Sequence, residues 1–126
     1  MFITNGDEII NLNAVRVVQL FPDVNPIIRL DIDETRFSLL RFQSKENFNE
    51  AKTELMDMLR NISEDWDKIS DSMYVRTDKL IYAEGKGIGS QLILYMDTGC
   101  IKSVQSPIYK VMDTLIDATG AISFED

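Results

Sequence analysis

Histidine is absent from the 126 residues, cysteine and tryptophan occur once each, and proline occurs three times. Without an imidazole, no mechanism can use one as base, proton shuttle or metal ligand near neutral pH. The lone Cys100 has no partner for an intramolecular disulfide and cannot supply a multi-thiolate zinc site. A small, strand-borne residue is its expected role, and a reducing cytoplasm the expected compartment. No apolar run approaches the roughly 20 residues of a membrane span, so no membrane partner is expected. The N-terminus reaches Asp7 and Glu8 too soon for a signal peptide.

Positive charge is also scarce. Thirteen Lys and Arg against 21 Asp and Glu leave a net charge of −8, which repels phosphate backbones at long range. Direct nucleic-acid binding is therefore not expected. What is present suits a globular chain: 44% apolar and 27% charged residues can bury a core. The length fits one ordinary domain or two very small ones.

Residues 2–42 read as strands divided by turns. Asn5-Gly6-Asp7 separates residues 2–4 from 9–12, the run 15–21 ends at Pro22, and Ile28, Leu30 and Ile32 alternate with Arg29, Asp31 and Asp33. A turn at residues 33–36 leads into a strand at 37–42. At Ser44 the period changes: a serine N-cap, Glu46 in the first turn, and Phe48, Ala51, Leu55, Met58, Leu59 and Ile62 at helical spacing predict a helix. Trp66 and Ile69 extend that stripe, so residues 63–72 read as linker or helix extension. Strands follow at 73–77 and 80–84, then a Gly-rich loop at 85–90, a strand at 92–96, the turn Asp97-Thr98-Gly99 and a returning strand at 100–104. Ser106-Pro107 starts a second helix with Ile108, Val111, Met112, Leu115 and Ala118 on one face, and Gly120 ends it. In the tail, residues 121–126, Ile122 and Phe124 can add an edge strand or dock.

The two halves align. Ile28, Leu30, Ile32, Asp33 and Phe37 match Leu92, Leu94, Met96, Asp97 and Ile101, and a serine-capped, apolar-striped helix follows each set. Units this small are hard to stabilise alone, whereas two together complete a core. The expected fold is α+β: two similar antiparallel β-meander units, each followed by a helix, packed as one compact tandem structure. Residues 1–62 form a first ββββα repeat and residues 73–126 a second βββα repeat. The pattern 74–84, Leu92 through Met96, Asp97-Thr98-Gly99, Ile101 and Ser106 resembles the small FlbD-type family linked to flagellar and swarming motility. The stretch from Asn5 to Asn13 with Val15 and Val18 is similar as well. The resemblance implies a short β-meander ending in a helix, of a kind also met in phage and mobile-element proteins, and it carries no catalytic signature.

Motif by motif, the chemistry is thin. Asp31-Ile32-Asp33-Glu34-Thr35 resembles the first motif of Mg²⁺-dependent phosphotransferases of the haloacid-dehalogenase type. A helix should follow that motif, and a strand-like run follows instead, so a strand edge with outward carboxylates is expected. In Gly85-Lys86-Gly87-Ile88-Gly89-Ser90 a phosphate loop would need a helix next; a strand follows, which leaves a flexible hairpin loop. Tyr74, Tyr82, Tyr95 and Tyr109, near the cations Arg76, Lys79, Lys86, Lys102 and Lys110, could form a stacking platform for bases, but core and edge packing is the expected role. Trp66 is expected either to glue the repeats from within or, if exposed, to mark an interface.

The resulting expectation is a noncatalytic, acidic protein-interaction module, without metal or cofactor, serving as a phage, mobile-element or motility accessory factor. Its partner would be another protein, bound through Trp66, Ile69, Lys86, Gly87 and Ile88, and homodimerisation by edge pairing or helix packing is compatible with it. The alternatives are a nucleic-acid-linked regulator, using the second-half cations on a sheet or acting as an acidic DNA mimic, and a Mg²⁺-dependent phosphatase centred on Asp31 and Asp33.

Overall fold

In the computed structural model, which describes residues 1–125, the chain runs through one order of elements twice. The first pass is a hairpin of β1 (Phe2–Thr4) and β2 (Ile9–Asn11), a 3₁₀ turn (Leu12–Ala14), a meander of β3 (Val17–Phe21), β4 (Ile27–Asp31) and β5 (Phe37–Arg41), and helix α1 (Lys45–Ile62). The second is a hairpin of β6 (Trp66–Ser70) and β7 (Met73–Arg76), a 3₁₀ turn (Thr77–Lys79), a meander of β8 (Leu80–Lys86), β9 (Gln91–Met96) and β10 (Gly99–Val104), and helix α2 (Ile108–Thr119). The strand pairs are antiparallel throughout, so the fold is α+β as expected.

The boundary between the repeats is corrected. Residues 63–72 are neither linker nor helix extension: α1 stops at Ile62, Ser63 N–H still bonds the Leu59 carbonyl, and Trp66–Ser70 is the opening strand of the second unit. Ser63 Oγ accepts from Asp65 N–H at 3.1 Å, a local bond that turns the chain out of the helix. Nor do the units keep their strands apart. β7 pairs with β3, Val17 opposite Val75 and Gln19 opposite Met73, giving a five-stranded sheet in the order β5-β4-β3-β7-β6. An isolated hairpin is marginal in water, and here the second hairpin gains its stability on the first unit's edge. A three-stranded sheet, β10-β9-β8, and the small β1-β2 hairpin complete the strands.

The five-stranded sheet is covered on both faces. On one, Val18, Leu20, Ile28, Leu30, Trp66 and Tyr74 join Phe48, Leu55, Met56 and Leu59 of α1 in a first core. On the other, Val17, Ile69, Met73 and Val75 meet Leu92, Leu94, Met96 and Ile101 of the second meander, with Val111 and Leu115 of α2. Strand alternation sends neighbouring residues to opposite faces, which is why Val17 and Val18 belong to different cores. The same geometry separates Trp66 from Ile69.

Helix α1 begins as its sequence predicts, with Ser44 Oγ accepting from Asn47 N–H at 3.1 Å. At α2 the cap position is held by Pro107, without a side-chain cap, and Gly120 closes the helix in the left-handed region (φ 68°). Residues 121–125 form no strand, and Asp126 of the expected tail strand lies outside the described residues. Among the described residues no helix is long and apolar enough to cross a membrane.

A fork of charge ties the second meander to the first unit. Arg16, nearly buried, donates from Nε and Nη2 to the two oxygens of Asp97 at 2.6 and 3.1 Å, and from Nη1 to the Asn13 carbonyl at 2.6 Å. Next to it, Thr98 Oγ1 donates to the Ile32 carbonyl at 2.6 Å. The Arg16 hydrogen bond holds the Asp97 carboxyl below its ordinary range, against a smaller opposing effect of burial.

Three outcomes are expected. Trp66 is 3% exposed, so Trp66→Ala should destabilise the fold by about 3–5 kcal/mol in urea unfolding. Trp66→Phe should cost only about 1 kcal/mol, because the buried indole N–H has no partner among the described residues and its loss removes an unsatisfied donor. The Asp97 pair stabilises the fold fully above the ordinary carboxylate pKa of about 4, and this contribution fades as pH drops through the lowered folded value. Asp97→Asn should therefore lower the urea midpoint at pH 7, with the gap to wild type closing on acidification; a gap constant with pH would show that the pair adds no proton-linked stability.

Candidate functional site

The five residues expected to meet a partner do not form one surface. Trp66 and Ile69 are buried in opposite cores, which corrects their assignment as contact residues. Their apolar stripe with Ile62 has helical spacing, but it spans the end of a helix and the start of a strand. Lys86, Gly87 and Ile88 are exposed, at the end of β8 and in the 3₁₀ turn that leads to β9. Gly89 in that turn sits at φ 77°, a left-handed conformation that favours glycine.

Lys86 belongs instead to a different constellation. The three-stranded sheet turns Leu80, Ala83, Leu92, Leu94, Met96 and Ile101 toward the second core. Its other face carries three cross-strand rows: Tyr82, Tyr95 and Cys100; Glu84, Ile93 and Lys102; Lys86, Gln91 and Val104. Tyr82 and Tyr95 are 55% and 40% exposed. Their rings meet edge-to-face, centroids 5.4 Å apart and planes at 66°, an arrangement favoured by the aromatic quadrupole. Core and edge packing is thus correct for Tyr74 but not for Tyr82, Tyr95 or Tyr109, whose rings are substantially open to solvent.

Acidic side chains around this region are engaged by neighbours. Glu84 lies 3.5 Å from Lys86 Nζ and accepts from Tyr82 Oη at 3.4 Å. Asp33 is held at a pKa of about 2, first by its hydrogen bond from Arg36 and then by the Thr35 backbone N–H. Asp31 is buried, one oxygen accepting from Gln19 Nε2 at 2.7 Å and the other from Arg29 Nε at 2.9 Å. The two carboxylates of the phosphotransferase-like motif thus serve a strand interior and an Asx-type turn, and the following segment is β5, not a helix.

Two clefts flank the free edge of β10. One, of about 340 Å³, is lined by Gln19, Phe21, Arg29, Lys102, Ser103 and Gln105 among others. The second, of about 310 Å³, shares Arg29 and Lys102 but adds Asp31, Asp33 and Glu34. A hydrogen-bonded chain from Ser70 through Gln105 and Ser103 to Gln19 forms the polar seam under the first. Arg29, Phe37 and the two tyrosines were not singled out together by sequence, because only the sheet packing brings residues 29, 37, 82, 95 and 102 to one side of the molecule.

No family model matches the chain, and no curated protein matches it. Among solved structures it is similar to a LytTr DNA-binding domain from Bacillus cereus, at 12% identity and a TM-score of 0.49, over 92% of this chain and 94% of that one. That neighbour binds DNA, and with it the expectation of a noncatalytic protein-interaction module, for which direct nucleic-acid binding was not expected, is given up. A likeness of this degree lends no residue role to this chain. The physical flaw in the expectation lies in reading −8 as a uniform field, whereas the charge is unevenly placed and Arg29 and Lys102 line common clefts at the edge of β10.

Proposed function

We propose that the protein binds single-stranded nucleic acid on the outer face of its three-stranded sheet. The observation that carries this reading is the Tyr82–Tyr95 pair, open to solvent on the outer strand face, with Lys102 in the next cross-strand row and Lys86 in the row beyond. Every base has a π-face, so aromatic side chains on a sheet bind unpaired bases with little regard to sequence. Paired bases in a duplex keep their faces stacked on each other and gain nothing from such a platform. Lys102 supplies the cation that tracks the backbone, while Lys86, paired with Glu84, offsets the repulsion of that carboxylate. With few cations in play and an acidic chain around them, affinity is expected to be modest and to depend on salt.

Fluorescence anisotropy with a labelled oligonucleotide at low salt tests this. Tyr82→Ala and Tyr95→Ala should each weaken binding by about 1–3 kcal/mol, and Lys102→Glu should weaken it further while lowering the salt slope by at least about 0.7. The same sequence as a duplex should bind less tightly. Unchanged affinity in a folded Tyr82→Ala/Tyr95→Ala double variant, or a preference for duplex, would defeat the proposal.

A further inference from the structure

Arg29 is held in place yet incompletely used. Its guanidinium carbon lies 3.9 Å from the centroid of the Phe37 ring, and its Nε donates to buried Asp31. The two buried arginines that pair with a carboxylate behave differently. Arg16 gives Nε and Nη2 to Asp97 and Nη1 to the Asn13 carbonyl. Arg76 gives Nε and Nη2 to Asp78 and Nη1 to the same carbonyl. Among the described residues, neither Nη of Arg29 has a hydrogen-bond partner, and the side chain remains about a third exposed.

The guanidinium is thus fixed on two sides, with its fork left for something else. Arg29 and Lys102 both line two clefts at this edge: one of about 340 Å³ with Gln19, Ser103, Gln105 and the half-exposed ring of Phe21, and one of about 310 Å³ with Asp31, Asp33 and Glu34, of which Asp31 and Asp33 are already engaged by Arg29 and Arg36. Among the described residues no carboxylate lines the first of these clefts. An arginine fork beside a lysine, with amide and hydroxyl groups around them, suits a tetrahedral oxyanion that accepts two parallel hydrogen bonds. Pre-positioning by Asp31 and Phe37 reduces the side-chain entropy lost on binding.

We infer that Arg29 and Lys102 form a phosphate clamp at the free edge of β10. The clamp rests on the nucleic-acid reading for its ligand, a phosphodiester of the strand lying over Tyr82 and Tyr95, because Lys102 belongs to both surfaces. The strand then crosses the β10 edge and meets Arg29, with Phe21 and Phe37 as further aromatic neighbours.

The test pairs oligonucleotide binding with a titration of inorganic phosphate followed by NMR of the arginine Nε–H and lysine side-chain signals. Arg29→Lys keeps the charge beside Asp31 but loses the fork, and should weaken oligonucleotide binding roughly fivefold to tenfold. Arg29→Gln should also reduce the salt slope by about 0.7. In wild type, phosphate should shift the Arg29 signal, a measurement that stands even if Arg29→Gln does not fold. If folded Arg29→Lys and Arg29→Gln bind the oligonucleotide as wild type does, the clamp is overturned and the tyrosine platform survives. Should wild type bind no oligonucleotide while phosphate shifts Arg29 and not the Arg29→Lys variant, the clamp stands for a free phosphate ligand and the nucleic-acid reading falls. No response to either probe removes both.

Discussion

Strand β3 is the constraint on which the rest of the molecule depends. It gives its backbone to β4 on one edge and to β7 on the other, and its side chains to both cores, Val18 and Leu20 to one and Val17 to the other. A strand paired on both edges and buried on both faces has no solvent-facing freedom. Gln19 is the exception in chemistry: its amide donates to Asp31 and accepts from Ser103, so the second meander is registered on the first by hydrogen bonds as well as by packing. Buried polar links of this kind are satisfied only in one alignment, which favours a single docking geometry over sliding.

From that anchor the position of the proposed interface follows. The second meander turns its apolar row of Leu92, Leu94 and Ile101 onto β3 and β7. Its opposite face must then look outward, carrying whatever the alternating positions hold. Those positions hold Tyr82, Tyr95, Lys86, Lys102 and the paired Glu84, together with Cys100, Gln91, Val104 and the buried Ile93. The Arg16–Asp97 fork and the Thr98 hydroxyl tie down the β9–β10 turn at one end of that face, so the surface is presented on rigid strands instead of a loop. Rigidity matters for weak stacking contacts, which gain most when little ordering is left to do.

Much of the fold was legible because its signals are local. Ser44 with the Phe48-to-Ile62 stripe, the Asp97-Thr98-Gly99 turn, and the matching apolar positions of the halves each act within a few residues. Residues 63–72 were not legible. Trp66 and Ile69 are three apart, a spacing shared by one face of a helix and by opposite faces of a strand, and only the presence of two cores decides between them. The tyrosines and cations of the candidate site were weighed from sequence as a stacking platform and set aside in favour of packing, because which of them share a face was not legible. The strand containing Tyr82 has an irregularity between Leu80 and Tyr82, with the exposed Ile81 as the extra residue, and this breaks the alternation that would otherwise mark Tyr82, Glu84 and Lys86 as one outward row. Arg29 and Lys102 are 73 positions apart in sequence, and their common cleft exists only once the two meanders dock.

The repeated order of elements also allows the edges of corresponding strands to be compared. In the first unit the leading meander strand, β3, accepts the next unit's hairpin along its edge. The corresponding strand of the second unit is β8, which lies at the margin of its sheet. A regular, apolar strand there would invite the hairpin of another molecule and so on without limit, in the manner of a linear polymer. Instead β8 is bulged near Ile81, interrupted by Gly85 and charged at Glu84 and Lys86. Gly85 is further constrained by α2, since a Cβ at that position would fall 2.6 Å from Met112 Cγ. An edge so bulged and charged is a poor template for a further strand, in contrast to the regular edge that β3 offers to β7.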